Sequence, residues 1–320
     1  MQCLNNKRKM NLQQLEYIVA IDNYRHFLKA ANACNITQAT LSMMVKKLEE
    51  ELNAIIFDRS KQPVVPTLVG EKIIAQARRV LNEGKQLKEI VLSENGQVSG
   101  DLKVGIIPTI APYLLPLVLK SISKKYPKLN LFIYEFTTNI IIEKLKSGEI
   151  DVGILATPLT EKTIVEIPLY YEQYFLYINK NETQFDKKYV LPQHITLDKL
   201  WLLEEGHCMR SQIFNFCELK KEQHFQSQFT YEAGSIETLM NLVDSNYGVT
   251  IIPELACSKI SIRQKAQLRY FKSPAPVREV SLVTHHQYVK EKLIKALKEV
   301  ILNSVPEEMK TKANQNIIAI

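Results

Sequence analysis

From Leu12 to about Leu52, apolar residues return every three or four positions in short blocks separated by polar turns, the spacing of small amphipathic helices. In "RHFLKAANACN", Phe27, Leu28, Ala31 and Cys34 make a narrow apolar face whose small residues allow close helix approach. In "ITQATLSMMVKKLEEEL", Thr37 suits an N-cap, Leu41, Val45, Leu48 and Leu52 form one stripe, and Gln38, Ser42, Met43 and Lys46 lie on the opposite face. Two short helices with a tight link, the second polar outside, describe a helix-turn-helix. "SKQPVVPTLVG" has two prolines and no helical period, which predicts the small hairpin, or wing, of a winged helix. A long helix follows from about Thr67 to Leu92, with Val69, Ile73, Ala77, Val80, Leu87 and Val91 at 3–4 spacing and Gly84 interrupting the series. So narrow a seam on so long a helix suits pairing with a second copy of itself; packing on its own domain is the alternative.

After the linker "SENGQVSGD" the period changes. "LKVGIIP", "LNLFIYEF" and "IDVGILAT" read as strands, "YLLPLVLKSISKKYP" and "NIIIEKLKSGE" as helices. Strand–helix–strand–helix–strand at these lengths implies a parallel sheet covered by helices, with ligands bound beyond the carboxyl ends of the strands. Thr109 and Thr138 fall at such ends. A second set begins near Ile167 with "EQYFLYIN", "IETLMNLVDSN" and "VTIIP", and Val280–Thr284 returns to the first. The expected fold is therefore α+β: a winged helix-turn-helix over residues 1–66, a linker and dimerisation helix over 67–100, and a regulatory domain over 101–304. Lobe I of that domain takes about 101–162 and 269–304, lobe II about 163–268, and 305–320 is left as a carboxy-terminal tail.

Charge sharpens this picture. Of 41 Lys+Arg and 34 Asp+Glu in the 320-residue chain, residues 1–92 hold 14 and 9, an excess of 5 in the first third that favours an anionic partner. No apolar run is long enough to span a bilayer, and "MQCLNNKRKM" lacks the apolar stretch of a secretory signal, so the expected location is cytoplasmic. In a reducing cytoplasm, cysteine pairs are more often catalytic, sensing or metal-binding than structural. "GHCMRSQIFNFC" places Cys208 between His207 and Arg210, with Cys217 nine residues on. On residues alone these thiols are equally well read as small buried hydrophobes, and a zinc site with His207 and His224 is a weaker alternative because structural ligands usually come as C-x2–4-C. Cys34 and Cys257 read as core and Cys3 as part of the terminal segment.

The block "HFLKAANACNITQATLSMMVKKLEEELNAIIFDR" resembles the DNA-binding domain of LysR-type transcriptional regulators, with its F-x-x-A-A, S/T-Q-x-x-x-S, L-E-x-x-L-G and L-F-x-R elements. The likeness continues through "PTLVGEKIIAQARRVL" and covers nearly the whole chain. "GIIPTIAPYLLP", "LLEEGHCMRSQIFNFC" and "ETLMNLVDSNYGVTIIPELA" resemble the hydrogen-peroxide-sensing OxyR branch, whose regulatory domain is periplasmic-binding-protein-like. The resemblance implies a transcriptional activator and not an enzyme, with no cofactor and no metal. It implies Cys208 as the peroxide-reactive thiol and Cys217 as its resolving partner, with Thr109, Thr138, His207, Arg210, His224 and Arg278 around the peroxide. It further implies base contacts from Gln38, Ser42 and Met43 near the Thr37 cap, and phosphate contacts from Lys46, Lys47 and Arg59. Its partners would be double-stranded operator DNA, hydrogen peroxide, further copies in a dimer or tetramer, RNA polymerase, and a thiol reductant such as glutaredoxin or thioredoxin. An organic effector in a cleft between the lobes is the competing reading.

Departures from the family pattern matter. Ala39 replaces a common proline, Asn53-Ala54 replaces Leu-Gly, and Met43 and Met44 replace polar residues; Met10 is an alternative first residue to Met1. The expected chemistry needs a lowered Cys208 pKa, for which Arg210, two positions away, is the candidate cation. If the intervening segment is helical, nine residues rise about 13.5 Å, whereas a disulfide needs Cα atoms about 4.4–6.8 Å apart. Closing the bond would then require local unwinding and repacking of Met209, Ile213, Phe214 and Phe216.

Overall fold

The amino-terminal blocks become three helices because each buries one apolar stripe on the others. In the computed structural model, which describes residues 10–94, 98–182, 185–219, 233–245, 248–286, 290–311 and 316–319, α1 spans Leu12–Tyr24, α2 Phe27–Ala33 and α3 Gln38–Leu52. Asn11 opens α1 with a capping box, and Thr37 caps α3 by accepting the Thr40 backbone N–H at 3.2 Å. Leu41, Val45 and Leu48 are fully buried. Leu52, expected on the same stripe, is exposed, because the helix ends there as Asn53 turns left-handed at φ 48°. On α2 the buried face is Ala30–Ala31, not Leu28, which is exposed; the two small side chains let the neighbouring helices close in. Two short antiparallel strands, β1 (Phe57–Asp58) and β2 (Val65–Pro66), form the expected hairpin.

The long helix α4 runs Leu68–Glu94. A Cβ at Gly70 would lie 2.0 Å from the Ile56 carbonyl oxygen, so only glycine allows the first turn of α4 to rest on that backbone. Ile74 and Ala77 bury against the helix-turn-helix core, and Arg78 pairs with Asp22 of α1 at 2.8 Å. Leu68, Val69 and Leu87 stay exposed.

Residues 1–95 and 96–320 belong to separate compact units, which differ in layering as the change of period requires. The second begins with β3 (Gly100–Ile106), α5 (Ala111–Lys125), β4 (Leu129–Glu135), α6 (Thr138–Ser147) and β5 (Val152–Thr157). β3 is parallel to both β4 and β5. Every residue of β5 is buried, as expected for a central strand, while β4 at the edge alternates in exposure. Next come β6 (Ile164–Ile178), β7 (Tyr189–Val190), α7 (Cys208–Phe216), α8 (Ile236–Ser245), β8 (Val249–Pro253), α9 (Glu254–Cys257), α10 (Ile262–Lys265) and β9 (Leu268–Phe271). The chain closes with β10 (Pro276–His285), α11 (Glu291–Ser304) and β11 (Asn316–Ile317).

β6 joins the two lobes. Its residues up to Gln173 pair antiparallel with β10, itself beside β5, while Tyr174–Ile178 pair with β8, and Phe175–Tyr177 also with β9. The crossing therefore lies near Tyr174, inside one unbroken strand, and not at residue 163 where the change of pattern put it. The terminal segment differs from expectation more sharply. Residues 307–310 form a 3-10 turn, β11 runs parallel to β10, and Ile318 is buried, so 305–320 is not a loose tail. Among the described residues, no helix is long and apolar enough to cross a membrane.

Candidate functional site

Cys208 is the first residue of α7 and Cys217 its C-cap, so the quoted stretch is one continuous helix with a thiol at each end. Both thiols are free and buried. Their environments differ. Burial raises the pKa of Cys208, but Thr138, Arg278 and the backbone N–H groups of Met209 and Ala156 all pull toward the thiolate. Burial alone acts on Cys217 and pushes it up to about 12. Burial wins at both, contrary to the expected net lowering at Cys208, but only Cys208 has groups that favour the anion. The two sulfurs are therefore unequal nucleophiles, and attack belongs to Cys208. Thr138 Oγ1, at the start of α6, is buried and completes no full hydrogen bond, so its pull on the sulfur is partial and its bonding capacity stays open.

The cation beside the thiol is Arg278, not Arg210. Arg210 is half-buried, donates to the Leu203 carbonyl at 2.8 Å and lies over the Phe214 ring at 5.7 Å. Helix residues two apart point in different directions, which is why sequence adjacency misled. Arg278 is fully buried on β10, where the register sets it opposite Glu172 of β6. Its Nε donates to Glu172 Oε1 at 2.8 Å and its Nη2 lies 2.6 Å from the same oxygen. Nη1 donates to Thr109 Oγ1 and Nη2 to the Thr109 carbonyl, each at 3.0 Å. Glu172 Oε2 accepts the Leu255 N–H at 3.1 Å, so the carboxylate is satisfied on both oxygens. His207 is buried as the N-cap residue of α7, with Nε2 3.6 Å from Glu204. Thr109, Thr138 and Arg278 thus gather at the thiol, and His207 adjoins it in the chain. His224 lies outside the described residues, as does Cys3.

Two functional side chains escaped the sequence reading. Tyr170, Glu172 and Tyr174 alternate along one face of β6, and a carboxylate in so apolar a strand was the available signal. Gln212 sits one turn after Cys208 on the buried face of α7, where its polarity breaks the stripe. Cys34 and Cys257 are half-buried free thiols. Among the described residues, no three His, Cys, Asp or Glu side chains gather as a metal-binding group.

On α3, Gln38, Met43, Lys46 and Lys47 are exposed together and Ser42 is half-buried. Arg59, expected at a phosphate, is instead engaged inside the domain. It donates to Ser42 Oγ at 3.2 Å and Glu49 Oε2 at 2.9 Å, and lies over Phe27 at 5.1 Å. Glu49 Oε1 in turn accepts the Ile56 and Phe57 N–H groups, so Arg59 and Glu49 tie α3 to the wing.

Comparison with known proteins follows the same division. Residues 12–71 match the bacterial regulatory helix-turn-helix proteins of the lysR family, and residues 95–306 match the LysR substrate binding domain. The hydrogen peroxide-inducible genes activator of Haemophilus influenzae is 35% identical over 86% of this chain and 90% of its own. A full-length OxyR variant from Pseudomonas aeruginosa superposes with TM-score 0.77 at 32% identity, covering 93% of this chain and 99% of that one. An H2O2-bound OxyR mutant from Corynebacterium glutamicum gives TM-score 0.61 at 27% identity, covering 93% and 94%.

Proposed function

The chain belongs to the LysR family of bacterial transcriptional regulators, in its OxyR group, and we propose that it senses hydrogen peroxide through a reversible Cys208–Cys217 disulfide. It is a DNA-binding regulator and not an enzyme. The observation that carries the peroxide reading is the inequality of the two buried thiols at opposite ends of α7. Cys208 sulfur attacks one peroxide oxygen, the O–O bond breaks, and the thiol proton leaves with the other oxygen as water. The product is a sulfenic acid on Cys208. Cys217 sulfur then attacks Cys208 sulfur, the S–O bond breaks, and the hydroxyl departs with the Cys217 proton as a second water. Two thiols lose two electrons and one peroxide gains them.

Thr138 has a hydroxyl to offer an uncharged peroxide, Thr109 and Arg278 supply a polar wall, and Arg278 stabilises negative charge as it develops on the leaving oxygen. His207 adjoins this site, while Arg210 acts by anchoring α7 to the Leu203 carbonyl. The helical rise of about 13.5 Å between the two cysteines means the second step must unwind α7, which makes oxidation a conformational signal. The further partners in this reading are operator DNA, a second copy along the exposed Leu68, Val69 and Leu87, RNA polymerase, and glutaredoxin or thioredoxin as reductant. Operator footprinting of the chain before and after equimolar peroxide tests it. A changed footprint is expected; an unchanged one, with Cys208 demonstrably oxidised, contradicts the switch.

Two smaller effects follow. Lys46→Ala should weaken operator binding on all sequences and reduce the log–log salt slope by about 1, whereas Gln38→Ala should relax preference at one base pair by about 1–3 kcal/mol. Titration of operator affinity between low and moderate salt checks both. Stability should also depend on pH. The buried thiols stay protonated in the fold while the unfolded chain ionises from about pH 8.5. Stability is therefore fully present below that value and is lost as pH rises above it, for Cys217 toward about 12. Urea midpoints at pH 8 and pH 9.5 should differ less in Cys217→Ser than in the parent chain.

A further inference from the structure

The peroxide chemistry leaves one buried polar group of α7 unused. Gln212 is fully buried one helical turn after Cys208. Its Oε1 accepts the Tyr174 hydroxyl at 2.6 Å, and its Nε2 donates to the Ile318 carbonyl at 2.8 Å. Nearly a turn later, Asn215 Nδ2 donates to the Ala319 carbonyl at 3.3 Å. The same terminal segment is fixed on its other side. Asn316 and Ile317 pair with Pro276 and Val277 of β10, and the Ile318 N–H donates to the Val277 carbonyl at 2.9 Å. The strand is thus held between β10, which carries Arg278, and the buried face of α7.

We propose that residues 316–319 are a latch that keeps α7 wound in the reduced protein, with Gln212 as the positioning residue through which the latch acts. The proposal rests on the disulfide reading above and concerns its second step. Cys208 and Cys217 cannot meet while α7 is intact, and unwinding the turn between them pulls Gln212 and Asn215 off the two carbonyls they hold. Leaving a buried amide and a buried carbonyl unpaired is costly, so the helix and the strand let go together. A cavity of about 460 Å³ bordered by Pro192, Phe216, Lys272, Ile317 and Ile318 adjoins that end of the helix. It offers room for Phe216, now stacked on Tyr174 at 5.6 Å, to move when the helix opens. The first step, attack on peroxide, uses Thr138, Thr109 and Arg278, none of which the latch holds. Peroxide attack and bond closure are therefore separately adjustable, and the carboxy-terminal strand sets the second.

The test uses the full chain, Gln212→Leu, a chain lacking residues 316–320, and the two changes combined. In the reduced proteins, hydrogen exchange of the α7 amides should speed up about tenfold or more in either variant, with β3 to β5 unaffected. The combined variant should be no faster than the truncated chain, because both changes break one contact. With Cys217→Ser added, trapping of the Cys208 sulfenic acid by dimedone should proceed at the parent rate. With Cys217 present, disulfide closure should be faster than in the parent. Unchanged exchange in both variants, additive losses, or equal acceleration of both steps would overturn the latch. If Gln212→Leu does not fold, Ile318→Pro removes the N–H that binds Val277, and the same outcomes apply to it. A parent chain that never forms the disulfide sinks the reading beneath, while the exchange measurement, which needs no oxidant, still decides the latch.

Discussion

Arg278→Met is expected to destabilise the carboxy-terminal unit by about 3–5 kcal/mol, the cost of leaving one partner of a buried ion pair uncompensated. Arg278 and Glu172 are both fully buried, they face each other across β6 and β10, and no solvent can take over from the lost guanidinium. The Thr109 side chain and carbonyl would lose their donors as well. Arg278→Met with Glu172→Leu should recover a large part of the loss, since the orphaned charge is then gone. Urea unfolding of the three proteins measures this, and a single-variant cost below about 1 kcal/mol would mean water reaches the site. The same substitution removes the cation that favours the Cys208 thiolate, so the sulfenic acid should also form more slowly.

Cys208→Ser is expected to abolish the peroxide response altogether, because a serine hydroxyl cannot supply the sulfur that attacks and no second thiol in the unit is activated. Cys217 has only burial acting on it, and Cys257, half-buried on α9, is likewise pushed up to about 12 mainly by burial. Cys217→Ser should behave differently. It should still form the sulfenic acid on Cys208 but stop there, with the operator footprint of the reduced protein retained. Footprinting and dimedone trapping on the same samples separate the two outcomes. A Cys208→Ser protein that still answers peroxide would return the chain to regulation by an organic effector in the cleft.

Local periodicity reached the helices and the parallel strands because each of those elements buries one face against immediate neighbours. It reached the helix-turn-helix, including the Thr37 cap and the left-handed Asn53, whose geometry depends on nearby residues. It failed where partners are distant in sequence. Arg278 lies 70 positions from Cys208, and nothing local in "PVREV" says which carboxylate it meets; the strand register decides that. Arg210 was chosen because it is adjacent, yet helical rotation turns it toward Leu203. Arg59 looked like a free phosphate contact, and only folding brings Glu49 and Ser42 to it. Residues 316–319 look like a polar end's last few apolar positions until β10 and α7 close around them.

The most direct measurement is thiol mapping of the full-length chain after reaction with an equimolar amount of hydrogen peroxide. The expected product is a single intramolecular disulfide whose peptides contain Cys208 and Cys217, reversed by thiol reductant, with Cys34 and Cys257 still free. A Cys208 that reacts no faster than Cys257, or a bond that joins any other pair, would contradict the mechanism.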